Sequence, residues 1–350
     1  MSASPVDTDT AARLVADAVT APSMHNAQPW RFLLHSATGT LELRGDPERA
    51  MTRTDPDHRA LHLGCSAALF NLRVSAAWNG LGTHVALLPD PADPWLLATV
   101  VLGPPTEENH ELAALHDVLR RRHTSRHPFG DERIAPALLD GLRAAARLEG
   151  CRLTVPDSGH TETVLALVRD AEHHEEMDPL VRAETASWTT GAPDPSPTTP
   201  PTPAPAPRAT PTAPTTTARG DGIPAEAFGP RSSGAATAPV RDFGRARPVP
   251  GRGWAVFEQH PQLALLGTTT DTPADWLRAG QALERVLLRA TADGLATSMT
   301  SQPLEWPELR WTVRDPLASM GHVQMVVRLG YGPSGAATPR RPVTEVLEIR

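Results

Sequence analysis

Residues 22–30 read Pro-Ser-Met-His-Asn-Ala-Gln-Pro-Trp and lie between a helical stretch, residues 11–19, and an apolar run, residues 31–34. A tight loop of hydroxyl, amide and imidazole groups between a helix and a strand is suited to hydrogen-bond a polar heterocycle or a polyol chain. The same loop could instead be a capping turn, in which Ser23 and Asn26 satisfy backbone groups. These residues alone leave both interpretations open.

Beyond this loop, the sequence contains a weak internal repeat. A shift of 214 positions aligns residues 293–297 (Asp-Gly-Leu-Ala-Thr) with residues 79–83 (Asn-Gly-Leu-Gly-Thr), and residues 281–283 with residues 67–69. Both regions are typical of a helix that ends at a glycine. Short apolar runs bounded by Gly and Pro follow each of them and predict strands. The pattern favours a duplicated α+β unit, although alanine- and leucine-rich helices that end in glycine also match by chance.

A second polar segment, residues 121–129, reads Arg-Arg-His-Thr-Ser-Arg-His-Pro-Phe and follows the helical run at residues 111–120. Guanidinium groups beside hydroxyls match the geometry of a phosphate group. The alternative is a solvated basic helix end, where cations favour the helix dipole. Arg340 and Arg341 form another candidate anion contact, which taken singly is usually an exposed tail.

The clearest change in composition is a stretch rich in Pro, Thr and Ala at residues 190–220. Such a stretch cannot bury apolar surface, so we expect it to be extended and disordered. The glycine-rich run that continues to residue 253 is loop-like, although Ile223, Phe228 and Phe243 could contact a folded body. We therefore divide the chain into an N-terminal half, residues 1–105, and a C-terminal half, residues 106–350, which this insert interrupts.

Charge and composition exclude several classes of protein. The net charge is −7, so nucleic acid and anionic membranes are poor partners. Every basic residue is arginine, which excludes a pyridoxal Schiff base and a Walker lysine. Cys65 and Cys151 lack zinc-site spacing, and the i,i+4 pair His58 and His62 has no third ligand nearby. No apolar run approaches the ~20 residues of a membrane span, and we expect a cytoplasmic protein.

Together these motifs resemble the nitroreductase family of FMN enzymes. Residues 22–30 look like its PSxxNxQPW segment, and residues 122–126 are similar to its RxSx(R/K) phosphate-binding segment. Gly294-Leu295 is similar to its GLG turn, and Gly330-Tyr331-Gly332 with Arg340-Arg341 to its GY…R ending. Residues 57–74 and 271–283 resemble the Acg subgroup of actinobacterial nitroreductase-like proteins. The resemblance implies an α+β fold with two nitroreductase-like halves, each a mixed or antiparallel sheet flanked by helices, fused as a pseudo-dimer.

The resemblance also implies a single composite flavin site. In homodimeric nitroreductases FMN lies at the subunit interface and takes the phosphate segment from one chain and the PSxxN loop from the other. Here the first half has the loop and the second half has the arginine-rich segment, so only one complete site can form. We therefore expect one FMN per chain and a monomer.

Each matching residue receives a role from the resemblance. Phosphate and ribityl contacts fall to Arg122, His123, Thr124, Arg126, Arg340 and Arg341, while Ser23, Asn26 and Gln28 would face the flavin from the other half. Gly294 and Leu295 would place backbone N–H groups near the reactive edge of the ring. Because hydride chemistry belongs to the cofactor, no side-chain acid or base is assigned.

The implied activity is reduction of a nitro, quinone or similar small-molecule acceptor with NAD(P)H. The chain departs from the family by having no lysine beside the C-terminal arginines, where Arg340 would substitute, and by reading Gly-Leu-Ala at residues 294–296. The insert falls where the Acg subgroup has a segment that can fold over the flavin as a lid. A lid would limit access, so the alternative function is a flavin-binding or flavin-sequestering, stress-related protein with little turnover.

Overall fold

A computed structural model of the chain describes residues 7–190, 220–233, 238–245, 249–318 and 320–350. The interior of the predicted insert, residues 191–219, lies outside the described residues. The helices are α1 (Thr8–Ala18), α2 (Arg59–Trp78), α3 (Asn109–Ala113), α4 (Pro136–Leu148), α5 (Ser158–Met177), α6 (Pro179–Ser187), α7 (Pro273–Ala292), α8 (Pro307–Val313) and α9 (Val343–Val346).

The strands form two larger sheets and two short pairs. They are β1 (Trp30–His35), β2 (Thr40–Gly45), β3 (Gly82–Leu87), β4 (Leu96–Gly103), β5 (Arg152–Thr154), β6 (Thr189–Thr190), β7 (Ile223–Pro224), β8 (Arg231–Ser232), β9 (Trp254–Ala255), β10 (Gln262–Thr268), β11 (Ala296–Thr300), β12 (His322–Gly330) and β13 (Leu347–Ile349). None of the helices in the described part of the chain is long and apolar enough to cross a membrane.

The two larger sheets repeat one another. The first has the strand order β13-β1-β2-β4-β3, and the second has the order β11-β12-β10-β5. Read from β3 and from β11, each sheet has four strands in equivalent order, and all neighbours among these four are antiparallel. In each half a long helix, α2 or α7, leads into the edge strand. This arrangement confirms the α+β class and the duplicated unit predicted from the weak repeat.

Local sequence explains where the two long helices begin and end. A capping box of Thr272 and Asp275, with proline at the first helical position, starts α7. The Asp55 carboxylate accepts hydrogen bonds from the first backbone N–H groups of α2. Both helices end at a glycine with positive φ, Gly80 at 74° and Gly294 at 79°, as the aligned glycines predict.

The long helices also tie the halves together. Leu277 of α7 is buried in the core of the first half, and Leu63 of α2 is buried in the core of the second. Gly280 of α7 lies so close to Leu63 and Ser66 that a Cβ atom there would overlap the Leu63 backbone. The two cores therefore interlock at the contact between α2 and α7 and cannot separate without exposing apolar surface.

The end of the chain returns to the first half. Strand β13 pairs in parallel with β1, with Leu347 opposite Phe32, and Val346 is buried in the first core. The division of the chain at residue 105 stays a prediction. The first sheet nevertheless includes β13, which lies C-terminal to that boundary.

The second half has a long insertion where the first half has a hairpin. Residues 36–39 connect β1 to β2, whereas residues 155–261 connect the equivalent strands β5 and β10. The predicted insert therefore falls within one loop of the repeat. Ile223, Phe228 and Phe243 are buried together in a small cluster, which confirms that this region contacts the folded body.

Candidate functional site

Two adjoining cavities lie where the halves meet. The inner cavity has a volume of about 80 Å³, and the arginine cavity beside it has a volume of about 50 Å³. The two cavities share the wall residues Pro22, Ser23, Thr124, Arg126 and Met299.

The loop at residues 22–28 forms one wall, and its conformation depends on its own polar groups. Three residues in it have positive φ: His25 at 50°, Asn26 at 55° and Gln28 at 53°. The Ser23 hydroxyl accepts a hydrogen bond from the Gln28 backbone N–H at 2.9 Å. Ser23 thus stabilises the turn, as the capping interpretation predicts, and it also lines both cavities, where it is placed to contact a ligand.

Asn26 lines the arginine cavity and holds neighbouring segments against the loop. Its amide nitrogen donates to the backbone oxygens of Gly222, at 2.9 Å, and Pro339, at 3.0 Å. The side-chain oxygen of Asn26 accepts from Arg340 Nη1 at 3.0 Å. The three segments around residues 26, 222 and 340 therefore converge on one amide.

Gln28 differs from the expectation that it faces a flavin. It is fully buried, and its Nε2 donates to the Gly220 oxygen at 2.8 Å. Its Oε1 accepts from the backbone N–H of Arg341 at 2.8 Å. These contacts use its amide group to join chain segments, which makes Gln28 a support for the loop.

The arginine-rich segment forms the opposite wall. Its backbone is anchored to β11 by a hydrogen bond from Ser125 N to Thr297 O at 2.8 Å. As the sequence predicts, the residues of this segment that line the arginine cavity are Arg122, His123, Thr124 and Arg126. Arg126 Nη1 donates to the Ala227 oxygen at 2.9 Å, and burial, with Arg241 nearby, lowers the Arg126 pKa to about 10.

The two C-terminal arginines, Arg340 and Arg341, differ in position and in hydrogen-bond partners. Arg340 lines the arginine cavity, and its Nη2 donates to Thr20 O at 3.0 Å. Burial and the neighbouring Arg122 lower the Arg340 pKa to about 9. Arg341 turns away, because its Nη1 donates to the backbone oxygens of Gln28 at 3.2 Å and Trp30 at 3.5 Å. Of this pair, Arg340 is placed to contact a ligand and Arg341 supports the loop.

Gly294 and Leu295 are not brought to either cavity. Leu295 is buried in the core of the second half, and Gly294 forms the turn after α7. The strand that follows carries the chain toward the cavity at about 3.3 Å per residue. Residues 298–302 therefore line the inner cavity in place of the predicted pair.

The structure adds buried cations that the motifs did not indicate. Arg59, at the start of α2, lines the inner cavity and donates to Gln324 O at 2.6 Å. Burial and the charge of Arg310 lower the Arg59 pKa to about 10. Its position within residues 57–74, which resemble the Acg subgroup, was the available signal.

A segment after the insert covers the inner cavity. Val240, Arg241 and Phe243 line it, and Arg241 forms ion pairs with Glu305 at 2.6 Å and Glu175 at 3.4 Å. Burial opposes the Arg241 charge, but these two carboxylates outweigh it and raise the Arg241 pKa. The covering segment, residues 238–245, is thereby fastened to the second half.

His25 joins the loop to the covering segment. Its ring contacts Phe243 edge to face at 5.4 Å, and its Nε2 lies 3.3 Å from Arg241 Nη1. Burial, with Arg241 and Arg126 nearby, lowers the pKa of His25 well below its ordinary value. His25 is therefore neutral at pH 7 and accepts the Arg241 hydrogen bond.

The cavity walls hold more positive than negative charge. The arginines that line the two cavities are Arg59, Arg122, Arg126, Arg241 and Arg340. Among the described residues, their carboxylate ion pairs are those of Arg241 with Glu305 and Glu175 and that of Arg122 with Glu284. The walls are thus complementary to an anionic ligand, with the greater density of arginine at the smaller cavity.

The chain is similar to known proteins along nearly its whole length. The chain belongs to the nitroreductase family. It is 30% identical over 354 residues to the Mycobacterium tuberculosis (strain ATCC 25618 / H37Rv) protein named "Putative NAD(P)H nitroreductase acg", covering 99% of this chain and 97% of that protein. It is 32% identical over 358 residues to "Putative NAD(P)H nitroreductase Rv3131" of the same strain, covering 98% and 92%.

A solved structure is also similar. A crystal structure described as a putative nitroreductase from Anabaena variabilis matches 94% of this chain and 90% of its own, with 11% identity and a TM-score of 0.46. No protein-family model matches the chain.

Proposed function

We propose that the chain is an FMN oxidoreductase that binds the flavin ring in the inner cavity and the phosphate in the arginine cavity. With NAD(P)H as donor, it reduces a nitro, quinone or similar small acceptor. The observation that carries this proposal is that the two cavities are neighbours, because the mostly apolar inner cavity shares five wall residues with the arginine cavity. The loop at residues 22–28 comes from the first half and the arginine-rich segment from the second. This division also supports a single flavin site per chain.

The residues present fit FMN. The Nε atoms of Arg122 and Arg340 are buried without hydrogen-bond partners among the described residues, and both side chains line the arginine cavity. A phosphate dianion supplies acceptors for such donors, and Thr124 adds a hydroxyl. Leu63, Leu283 and other apolar side chains line the inner cavity, as a planar ring requires.

Bound FMN would supply the hydride chemistry, and the chain would supply binding, orientation and charge. Arg59, which is buried, and Arg126, which is half-buried, line the inner cavity, so they favour negative charge on whatever occupies it. The loop at residues 22–28 and the covering segment also line this space. No residue of this chain is assigned as a proton donor.

A second function, flavin retention with little turnover, is supported by the covering segment. Arg241 and Phe243 line the inner cavity, and two ion pairs fix Arg241 there. If this segment stays closed, bound flavin is protected from donors and acceptors.

One experiment distinguishes these functions. The purified chain is loaded with FMN, and its visible spectrum is recorded before and after anaerobic addition of NADPH or NADH. Bleaching that a quinone or nitroarene reverses supports the oxidoreductase. Bleaching with dithionite alone supports retention, and a chain that takes up no FMN contradicts both.

A variant sharpens the comparison. Arg241→Ala removes the inward ion pairs of the covering segment, those with Glu305 and Glu175, and should raise the NADPH reduction rate severalfold if closure limits it. Arg245→Ala is the matched control in the same segment, because its ion pairs with Glu172 and Glu176 are exposed to solvent and contribute little to closure. Equal rates in the wild type and both variants would show that closure does not limit reduction.

A further inference from the structure

Glu284 is a buried carboxylate behind the arginine cavity. It lies on α7, is fully buried, and neither of its oxygens has a hydrogen-bond partner among the described residues. Its nearest cation is Arg122, whose Nε lies 3.6 Å from Oε1. A carboxylate in this state is costly to bury, because the arginine replaces only part of its hydration.

The groups that face Glu284 come from three other parts of the fold. Arg122 approaches from the arginine-rich segment, Arg340 from the C-terminal region, and the neutral amide of Asn71 from α2. Arg122 and Arg340 also line the arginine cavity. The same two guanidinium groups therefore face a carboxylate on one side and a ligand space on the other.

A phosphate group in the arginine cavity would compete with Glu284 for these cations. Two anions that share the same arginines in a buried place repel each other, and this disfavours the ionised form of the weaker acid. The FMN phosphate cannot move away from the arginines, because the bound flavin ring holds it in place. Glu284 can lose its negative charge by accepting a proton, and the repulsion between the two anions then ends.

We propose that Glu284 takes up one proton from solvent when FMN binds, so that cofactor retention by this chain is coupled to pH. The inference rests on the proposed FMN site. No electron moves in this step, and the proton resides on a Glu284 carboxylate oxygen. Glu284 is a positioning residue: ionised, it orients Arg122 in the empty site, and protonated, it leaves both arginines to the phosphate.

The ionisation of Glu284 agrees with this geometry. Burial raises the pKa of Glu284, while Arg122, Asn71 and Arg340 lower it. A bound phosphate cancels part of the lowering by the two arginines, so the pKa of Glu284 rises further in the complex. Between the two pKa values binding takes up a proton, and FMN binds more tightly as the pH falls.

The test measures protons directly. FMN is titrated into the full chain by calorimetry at about pH 7–8.5, where a phosphomonoester with a second pKa near 6 is already a dianion. Buffers of different ionisation heat report the number of protons taken up. We expect up to one proton per FMN, and a dissociation constant that rises by up to about tenfold per pH unit.

Two comparisons assign the proton. Glu284→Gln should bind FMN with no proton uptake and with a pH-independent dissociation constant over the same range. Glu149→Gln is the matched control, because Glu149 is also buried and pairs with arginines, Arg73 and Arg285, away from the cavity. Riboflavin, which lacks the phosphate, should bind the wild type without uptake.

The outcomes separate the inference from the function on which it rests. FMN binding without proton uptake by the wild type overturns the inference and leaves the proposed function intact. Uptake that persists in Glu284→Gln overturns it as well. A chain that binds no FMN at any pH overturns both. If Glu284→Gln does not fold, FMN binding to the wild type without proton uptake still overturns the inference.

Discussion

Arginines that are buried or half-buried without carboxylate partners are costly, and this site keeps several of them. The pKa of Arg59 and of Arg126 is lowered to about 10, and that of Arg340 to about 9, mainly by burial. A bound anion would offset this cost, so binding of the ligand should also stabilise the fold. The cavity walls therefore carry positive charge that their own residues do not balance.

Arg126 offers the most direct test of this charge, because it lines both cavities. Arg126→Ala should weaken FMN binding by about ten- to a hundredfold, since a charge-assisted contact contributes about 1.5–3 kcal/mol. The dissociation constant from fluorescence quenching of FMN checks this.

Arg121→Ala is the control for this substitution, since Arg121 is an exposed arginine of the same segment. An unchanged affinity in Arg126→Ala, or an equal loss in both variants, would reject a phosphate role for Arg126.

The sequence predicted part of the site at this scale and missed the rest for a physical reason. Arg122, Arg126 and Arg340 could be found because guanidinium groups beside hydroxyls form a local pattern. Arg59 and Arg241 carry no such pattern, and only the fold brings them to the cavity. Gly294 was misplaced because the motif fixes a turn, while the cavity is lined further along the chain, by β11 and the residues after it.

Among the elements, α2 and α7 determine how the halves meet. The shift of 214 positions that relates the halves places Gly280 on Ser66, and in the structure these two residues contact each other. Equivalent residues touch in this way where a two-fold axis passes through an interface. The contact between α2 and α7 therefore preserves the geometry of a symmetric dimer inside one chain.

Gly280→Ala should be strongly destabilising for this reason. A Cβ atom at this position would overlap the Leu63 backbone, so the helices would have to separate, and we expect a loss of about 1–3 kcal/mol or more. The free energy of unfolding from urea denaturation measures it.

Gly141→Ala, in α4, is the matched control. Its Cβ would meet only the Arg289 guanidinium at 3.8 Å, and alanine should stabilise this helix by up to about 1 kcal/mol. If both substitutions changed the free energy of unfolding equally, α2 and α7 would not be closely packed at Gly280.

Element types followed from the sequence more readily than their connections. Helix, glycine and strand in succession are a local pattern, and it predicted α2 with β3. After α7 the apolar run predicted as a strand, residues 323–329, is β12, and the intervening β11 was not predicted. The three-residue strands β5 and β13 are too short to show a period of two, and their partners lie far away in the chain. Strand order and the return of β13 therefore required the structure.

For the whole molecule, the internal symmetry is broken where the site forms. Residues 19–29 follow α1 and form the cavity wall, whereas only residues 149–151 separate the equivalent helix α4 from β5. Three residues cannot build a second loop of this kind. The pseudo-dimer therefore offers one composite site and has no matching wall for a second.

This asymmetry predicts the stoichiometry. FMN titration should saturate at one flavin per chain, and light scattering should give the mass of a single chain, because both walls of the site come from one polypeptide. Two flavins per chain would show a second site, and one flavin per two chains would place a site between molecules.

The pairing of β13 with β1 also has a consequence for synthesis. Ser36 donates its hydroxyl to the backbone oxygen of Arg350, 314 positions later. During translation β1 emerges early, and the edge that pairs with β13 stays unpaired until β13 has been synthesised. An open strand edge is a template for wrong pairing. Nascent chains of this protein should therefore need protection by chaperones until their last residues are released.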